Sequence, residues 1–132
     1  MSRLGLRDAF MRYGAQLRNV QWSVSAWAPD GSLVVSLWEH HRRPGAPGAL
    51  EFSGSVGRWR GPGNNEFRKN IAKVFEAQAS VRLVIVRTDE PARVEAGEDA
   101  SKVSKEFVPR EDLVGRVVEW DGERYAVRFT RE

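Results

Sequence analysis

Residues 81–86 read Val81-Arg82-Leu83-Val84-Ile85-Val86, apolar at both strand parities except at Arg82. A strand covered on one side alternates apolar and polar residues, whereas one that is apolar at both parities is buried on both faces. This run therefore predicts a strand central in its sheet. The rest of the chain must supply its neighbours and the helices that cover it.

Immediately upstream, Phe67, Ile71, Val74 and Phe75 form the apolar stripe of a helix running to about Ala79. Lys69, Lys73 and Glu76 lie away from that stripe, with Arg68 at its edge. Asn64 or Asn65 is the expected cap, following the strand-breaking segment Gly57-Arg58-Trp59-Arg60-Gly61-Pro62-Gly63. Further back, Trp22, Val24, Ala26 and Leu33, Val35, Leu37 alternate on either side of Pro29-Asp30-Gly31, the pattern of a hairpin. A two-residue Asp30-Gly31 turn puts Ala26 opposite Val35 and Val24 opposite Leu37. The other face then carries Trp27, Ser25, Ser23, Val34, Ser36 and Trp38. Leu50, Phe52, Gly54 and Val56 continue the sheet as a third strand of a meander, after a loop from His40 to Gly48. Leu6, Phe10, Tyr13 and Leu17 stack on one face of an N-terminal helix over about residues 3–18. Gly5 and Gly14 each weaken that helix by about 1 kcal/mol relative to Ala, so it depends on packing.

Downstream, residues 88–110 are polar and acidic and read as a long loop, mobile around Gly97 to Lys105. Val117 to Trp120 and Tyr125 to Phe129 flank Asp121-Gly122, a second hairpin in which Val118 opposes Tyr125 and Glu119 opposes Arg124. The expectation is a single α+β domain over residues 1–132, in the order α-βββ-α-β-loop-ββ, with an antiparallel or mixed sheet packed by two helices.

The chain has 132 residues, 41% of them hydrophobic, which is enough for a core, and no cysteine, which excludes disulfide and thiolate-metal chemistry. No apolar run approaches the roughly 18–20 residues of a membrane span, and no charged n-region precedes an apolar h-region at the N-terminus. The sequence reads as soluble, unexported and cytoplasmic, with no membrane partner.

Charge is distributed unevenly. Residues 1–87 hold 13 basic and 6 acidic side chains, and residues 88–132 hold 8 basic and 12 acidic. Arg42, Arg43, Arg58, Arg60, Arg68, Lys69 and Lys73 fall in one window against Glu51 and Glu66 only. Within it, glycines at 57, 61 and 63 would let backbone N–H groups approach a phosphate, and Trp59 would stack. Asn64 and Asn65 mark the helix start. The alternative for this loop is a plain turn with Trp59 folded onto the core. Trp27 and Trp38 form a second candidate, an aromatic platform on the serine-bearing sheet face, unless a helix covers it. The acidic loop, Val94 to Lys102, reads as a flap that would fold over the basic window and compete with an anion.

Signs of catalysis are absent from the sequence. His40 and His41 are the only imidazoles; in a strand they point to opposite faces, and no third histidine or cysteine completes a zinc site, so no metal is expected. Gly54-Ser55-Val56-Gly57 fails the nucleophile-elbow pattern. Glu51 is alone on its strand, and Asp89-Glu90 reads as a turn. The expectation is a non-enzymatic module without a cofactor that engages an anionic partner, nucleic acid or a phosphate-bearing ligand, through the basic window. The second expectation is a self-associating protein–protein or small-ligand module using the tryptophan face, or an accessory factor or inhibitor of a nucleic-acid enzyme.

Overall fold

The computed structural model describes residues 5–19, 22–45, 47–58, 60–96 and 104–131, with the backbone alone for Arg58. Helix α1 (Leu6–Met11) is followed by strands β1 (Ser25–Trp27), β2 (Leu33–Trp38), β3 (Arg42–Arg43) and β4 (Ala49–Ser55). Helix α2 (Pro62–Ala77), strand β5 (Val81–Arg87), helix α3 (Pro91–Glu95) and strands β6 (Glu106–Pro109), β7 (Leu113–Trp120) and β8 (Arg124–Arg131) complete the order. This is a mixed α+β fold. Among the described residues, eight strands form one sheet in the order β1-β2-β5-β7-β8-β4-β3, with β6 also alongside β5. Among the described residues, no helix is long and apolar enough to cross a membrane.

The run at 81–86 is central, as its pattern requires. β5 pairs in parallel with β2, from Leu33 opposite Val81 to Trp38 opposite Val86, and antiparallel with both β6 and β7. Val81, Leu83 and Ile85 face the core beneath α2, where they meet Phe67, Ile71 and Val74. Val84 faces the opposite way, into a second cluster with Ala9, Phe10 and Val34 beneath α1. The one polar residue of the run, Arg82, stacks its guanidinium 5.1 Å from the Tyr13 ring centroid and donates to the Glu111 carbonyl at 2.9 Å.

The expected meander does not form. β4 lies across the sheet from β2, between β8 and β3, because β5 occupies the place beside β2 and a parallel pair needs a long crossover between its strands. The N-terminal helix also ends earlier than its apolar spacing suggests. Gly14 takes a left-handed φ of 73°, its N–H bonding the Met11 carbonyl while the Ala15 N–H bonds that of Phe10. Leu17 still reaches the α1 cluster, but from the extended chain beyond the helix. The acidic stretch 88–110 contains α3 and β6 rather than a continuous loop; its part at 97–103 lies outside the described residues.

Both hairpins exist with registers other than the expected ones. In the first, Pro29 occupies the second position of a turn closed by Gly31 N–H to the Ala28 carbonyl, and Asp30 Oδ1 accepts the Ser32 N–H. The loop is therefore longer, and Ala26 pairs with Val34 instead of Val35. One residue of slip exchanges the faces. In the second, Asp121 Oδ1 accepts the N–H groups of Glu123 and Arg124 at 2.9 and 2.6 Å, so the turn takes four residues. A bulge between Val117 and Glu119 absorbs the shift. Val118 is left exposed, Trp120 pairs with Tyr125, and Glu119 opposes Ala126 rather than Arg124.

Two glycines accommodate the aromatic rings of β8. Gly54 pairs with Tyr125 and Gly115 with Phe129. A Cβ on Gly115 would come within 2.4 Å of Phe129 Cδ1 and 2.9 Å of the Arg128 carbonyl oxygen. Each ring then packs edge-on to a further ring, Tyr125 against Phe67 at 5.2 Å and Phe129 against Phe52 at 6.0 Å. Gly54 is the floor on which Tyr125 lies.

Gly115→Ala is expected to cost about 1–3 kcal/mol by overpacking. Urea unfolding of Gly115→Ala, Phe129→Leu and the double variant should show the two changes coupled; simple additivity would mean that the ring does not lie on the glycine. Tyr13 gives a pH prediction. Its hydroxyl donates to the Leu83 carbonyl at 2.8 Å, and burial pushes its pKa from 10.0 up to about 12 against the opposing pull of Arg82. The folded state favours the neutral phenol, so this stabilisation is complete below about pH 10 and is lost as pH rises towards about 12. Wild-type stability should fall more steeply over that window than that of Tyr13→Phe, and parallel curves would refute the assignment.

Candidate functional site

A cleft of about 620 Å³ opens between the start of α2 and the outer edge of β1. Pro62, Asn65, Glu66, Lys69 and Asn70 line it from the helix, Ser25, Ala26 and Trp27 from the strand, and Gln16, Arg18 and Trp22 from the segment between α1 and β1. Apolar α2 residues anchor the helix to the sheet, which turns Asn65 and Lys69 outward along one flank. The first hairpin's register sets Trp27 on the α2 side. There its indole N–H donates to Asn70 Oδ1 at 3.0 Å, and Asn70 Nδ2 donates to Ser25 Oγ at 2.9 Å. Lys73 Nζ lies 5.5 Å from the Trp27 ring centroid. Aromatic surface and cationic groups therefore share this cleft. Glu66 adds one carboxylate, whose Oε1 is buried without a hydrogen-bond partner among the described residues.

The basic window is divided by the fold. Asn65, Lys69 and Lys73 belong to the cleft or its rim. Arg42 and Arg43 sit on β3, paired with β4, and do not line the cleft. Arg43 there donates to Ser53 Oγ. Arg68 braces the fold instead of facing a ligand: its Nε donates to Asn64 Oδ1 at 2.7 Å and its Nη2 to the Val56 carbonyl at 3.3 Å. Arg60 is exposed beside the helix start. Trp59 and the side chain of Arg58 lie outside the described residues.

Two sequence expectations are corrected here. Asn64 does not cap α2. The helix begins at Pro62, whose fixed φ suits a first helical position, and Gly61 serves as the cap, three residues before Asn64. Asn64 is buried, and its Nδ2 donates to the Val56 carbonyl at 2.7 Å. The glycine-rich turn is also a poor phosphate cradle, since the Gly57 N–H is bound by Ser55 Oγ, Glu123 Oε1 approaches the same glycine, and Pro62 has no N–H to offer. The tryptophan platform is the second correction. Trp27 faces α2 with Leu33 and Val35, while Trp38 follows the parity of Val34 on the other face. The slipped register separates them.

Arg18 and Trp22 are the cleft residues that periodicity missed. Both lie in the segment between α1, which ends at Met11, and β1, which starts at Ser25, where neither a helical nor a strand period applies. Of the carboxylates considered, Glu51 is within 3.3 Å of Arg128 Nε, and Glu90 holds Arg93 at 2.9 Å, which lowers the Glu90 pKa. His40 and His41 lie in a 3-10 turn, so the strand geometry that separated them does not apply.

Asn64→Ala should destabilise the protein by about 1–3 kcal/mol, because it removes one of the two donors to the Val56 carbonyl and the acceptor of Arg68 Nε. Asn65→Ala, one residue on and exposed, should stay within about 0.5 kcal/mol in the same urea titration. Equal effects would remove the structural role given to Asn64. Comparison with protein families, with curated proteins and with solved structures gives no match to this chain.

Proposed function

We propose that this chain is a non-enzymatic binding module that takes single-stranded nucleic acid along the cleft between α2 and β1. The observation that carries the reading is the meeting of Arg18 and Lys69 with Trp22 and Trp27 in one cleft of about 620 Å³, with Lys73 against Trp27. That volume falls within the range of small-ligand pockets and suits one or two nucleotide units. Lysine and arginine neutralise phosphates, and an aromatic face stacks a base for about 1–3 kcal/mol whatever its identity. A duplex presents no free base faces to such a cleft. Arg42 and Arg43 are not among the residues that line it.

The test is fluorescence anisotropy of labelled single- and double-stranded DNA and RNA at low and near-physiological salt. Single strands should bind more tightly than duplex, with affinity falling as salt rises. Trp27→Ala should lose about 1–3 kcal/mol. Arg18→Ala/Lys69→Ala should flatten the salt slope by about 1.4, at about 0.7 per phosphate contact. Arg42→Ala/Arg43→Ala should match wild type. Binding that depends on Arg42 and Arg43 but not on Trp27, or no binding at low salt, would overturn the reading; saturation by a mononucleotide alone would reduce it to a small-ligand site.

A further inference from the structure

We infer that His40, His41 and Glu95 form a site for one divalent transition-metal ion of the zinc class. The first reason is local. Glu39–His41 is a single 3-10 turn placed directly after β2, so consecutive side chains fan to one side instead of alternating. The two imidazole centroids are 4.6 Å apart, edge to face, and the Trp38 ring packs 5.6 Å from that of His40.

The second reason is topological. β2 and β5 run parallel in register up to Trp38 opposite Val86, so the segments leaving their carboxyl ends emerge side by side. One is the histidine turn and the other is the approach to α3, where Val94 is buried and fixes the neighbouring Glu95. Arg87 ties the two exits together through Glu39, Nε to Oε2 at 2.6 Å. Crevices at the carboxyl ends of parallel strands are where α/β sheets hold ligands.

The third reason is the donor set. His40 Nε2 lies 2.8 Å from Glu95 Oε1, and His41 Nε2 meets the same oxygen. All three atoms lie within 4.8 Å of one another. Tetrahedral zinc, with bonds of about 2.0–2.1 Å, separates its ligand atoms by about 3.3 Å, so shifts on the order of an ångström seat the ion. Two imidazoles and one carboxylate suit zinc and its first-row neighbours rather than calcium or magnesium. Three protein ligands leave a fourth position for water or an exogenous ligand. The histidine side chains are 22% and 11% exposed, whereas Glu95 is 44% exposed, so the open side of the site is the carboxylate's.

The test uses tag-free full-length protein, stripped with a chelator and titrated with Zn²⁺ against a chromophoric competitor. Binding should be one to one, with a dissociation constant of about micromolar or tighter. His41→Ala and Glu95→Ala should each weaken it at least about tenfold, a factor of ten in that constant. Co²⁺ should add visible absorption bands that the His40→Ala/His41→Ala variant lacks. A second measurement needs no variant: the chain has only two histidines, so Zn²⁺ should protect both wild-type imidazoles from acylation by diethyl pyrocarbonate. Failure to reach one-to-one binding, binding undiminished in the double variant, or unprotected histidines at saturating Zn²⁺ would overturn the assignment.

Discussion

The parallel pairing of β2 with β5 is the constraint from which the other elements follow. Two parallel neighbours cannot be joined by a tight turn, so the chain between them must travel. It uses that path to form β3 and β4, which pair with each other and through β4 with β8, and then to return across one face as α2. A strand paired in this way is buried on both sides, which obliges a second cover. The short α1 and the extended chain through Leu17 supply it. Its two carboxyl ends also bring segments remote in sequence to one place. β1, added outside β2, leaves the free edge against which the α2 cleft is formed.

Single-strand patterns could be read from the sequence; relations between strands could not. Both faces of β5, the apolar stripe of α2 and the positions of the two hairpins follow from periodicity alone, because burial acts on each residue separately. Register depends on turn chemistry to within one residue. Pro29 and the side chain of Asp121 each lengthened a turn that the Asp-Gly dipeptide suggested was minimal. For the first hairpin that single residue decided which face Trp27 occupies, and hence whether it joins Trp38 or α2.

The candidate site shows the same limit for charge. Of the basic residues near one another in sequence, Arg68 becomes a brace, Arg42 and Arg43 lie on β3, and Lys69 and Lys73 reach the cleft or its rim. Proximity along the chain overstated their common purpose. Arg68 illustrates why: a guanidinium at a helix edge has five donors, and two acceptors from Asn64 and Val56 were within its reach. Conversely Arg18 and Trp22, outside the window, are brought to it by the early stop of α1 at Gly14.

The pairing of Leu33 with Val81 also bears on how the chain reaches this structure. Contacts of such sequence separation require loop closure before they return any stabilisation, and topologies dominated by them fold slowly. The β7–β8 hairpin and α2 rest on local contacts and can form early, whereas β5 has no complete environment until β2 docks. Until then the most apolar segment of the chain, residues 81–86, stands exposed on a growing edge, where a second copy of the chain can pair with it. The concentration at which the chain folds therefore bears on the yield of folded protein, apart from the stability of the finished sheet.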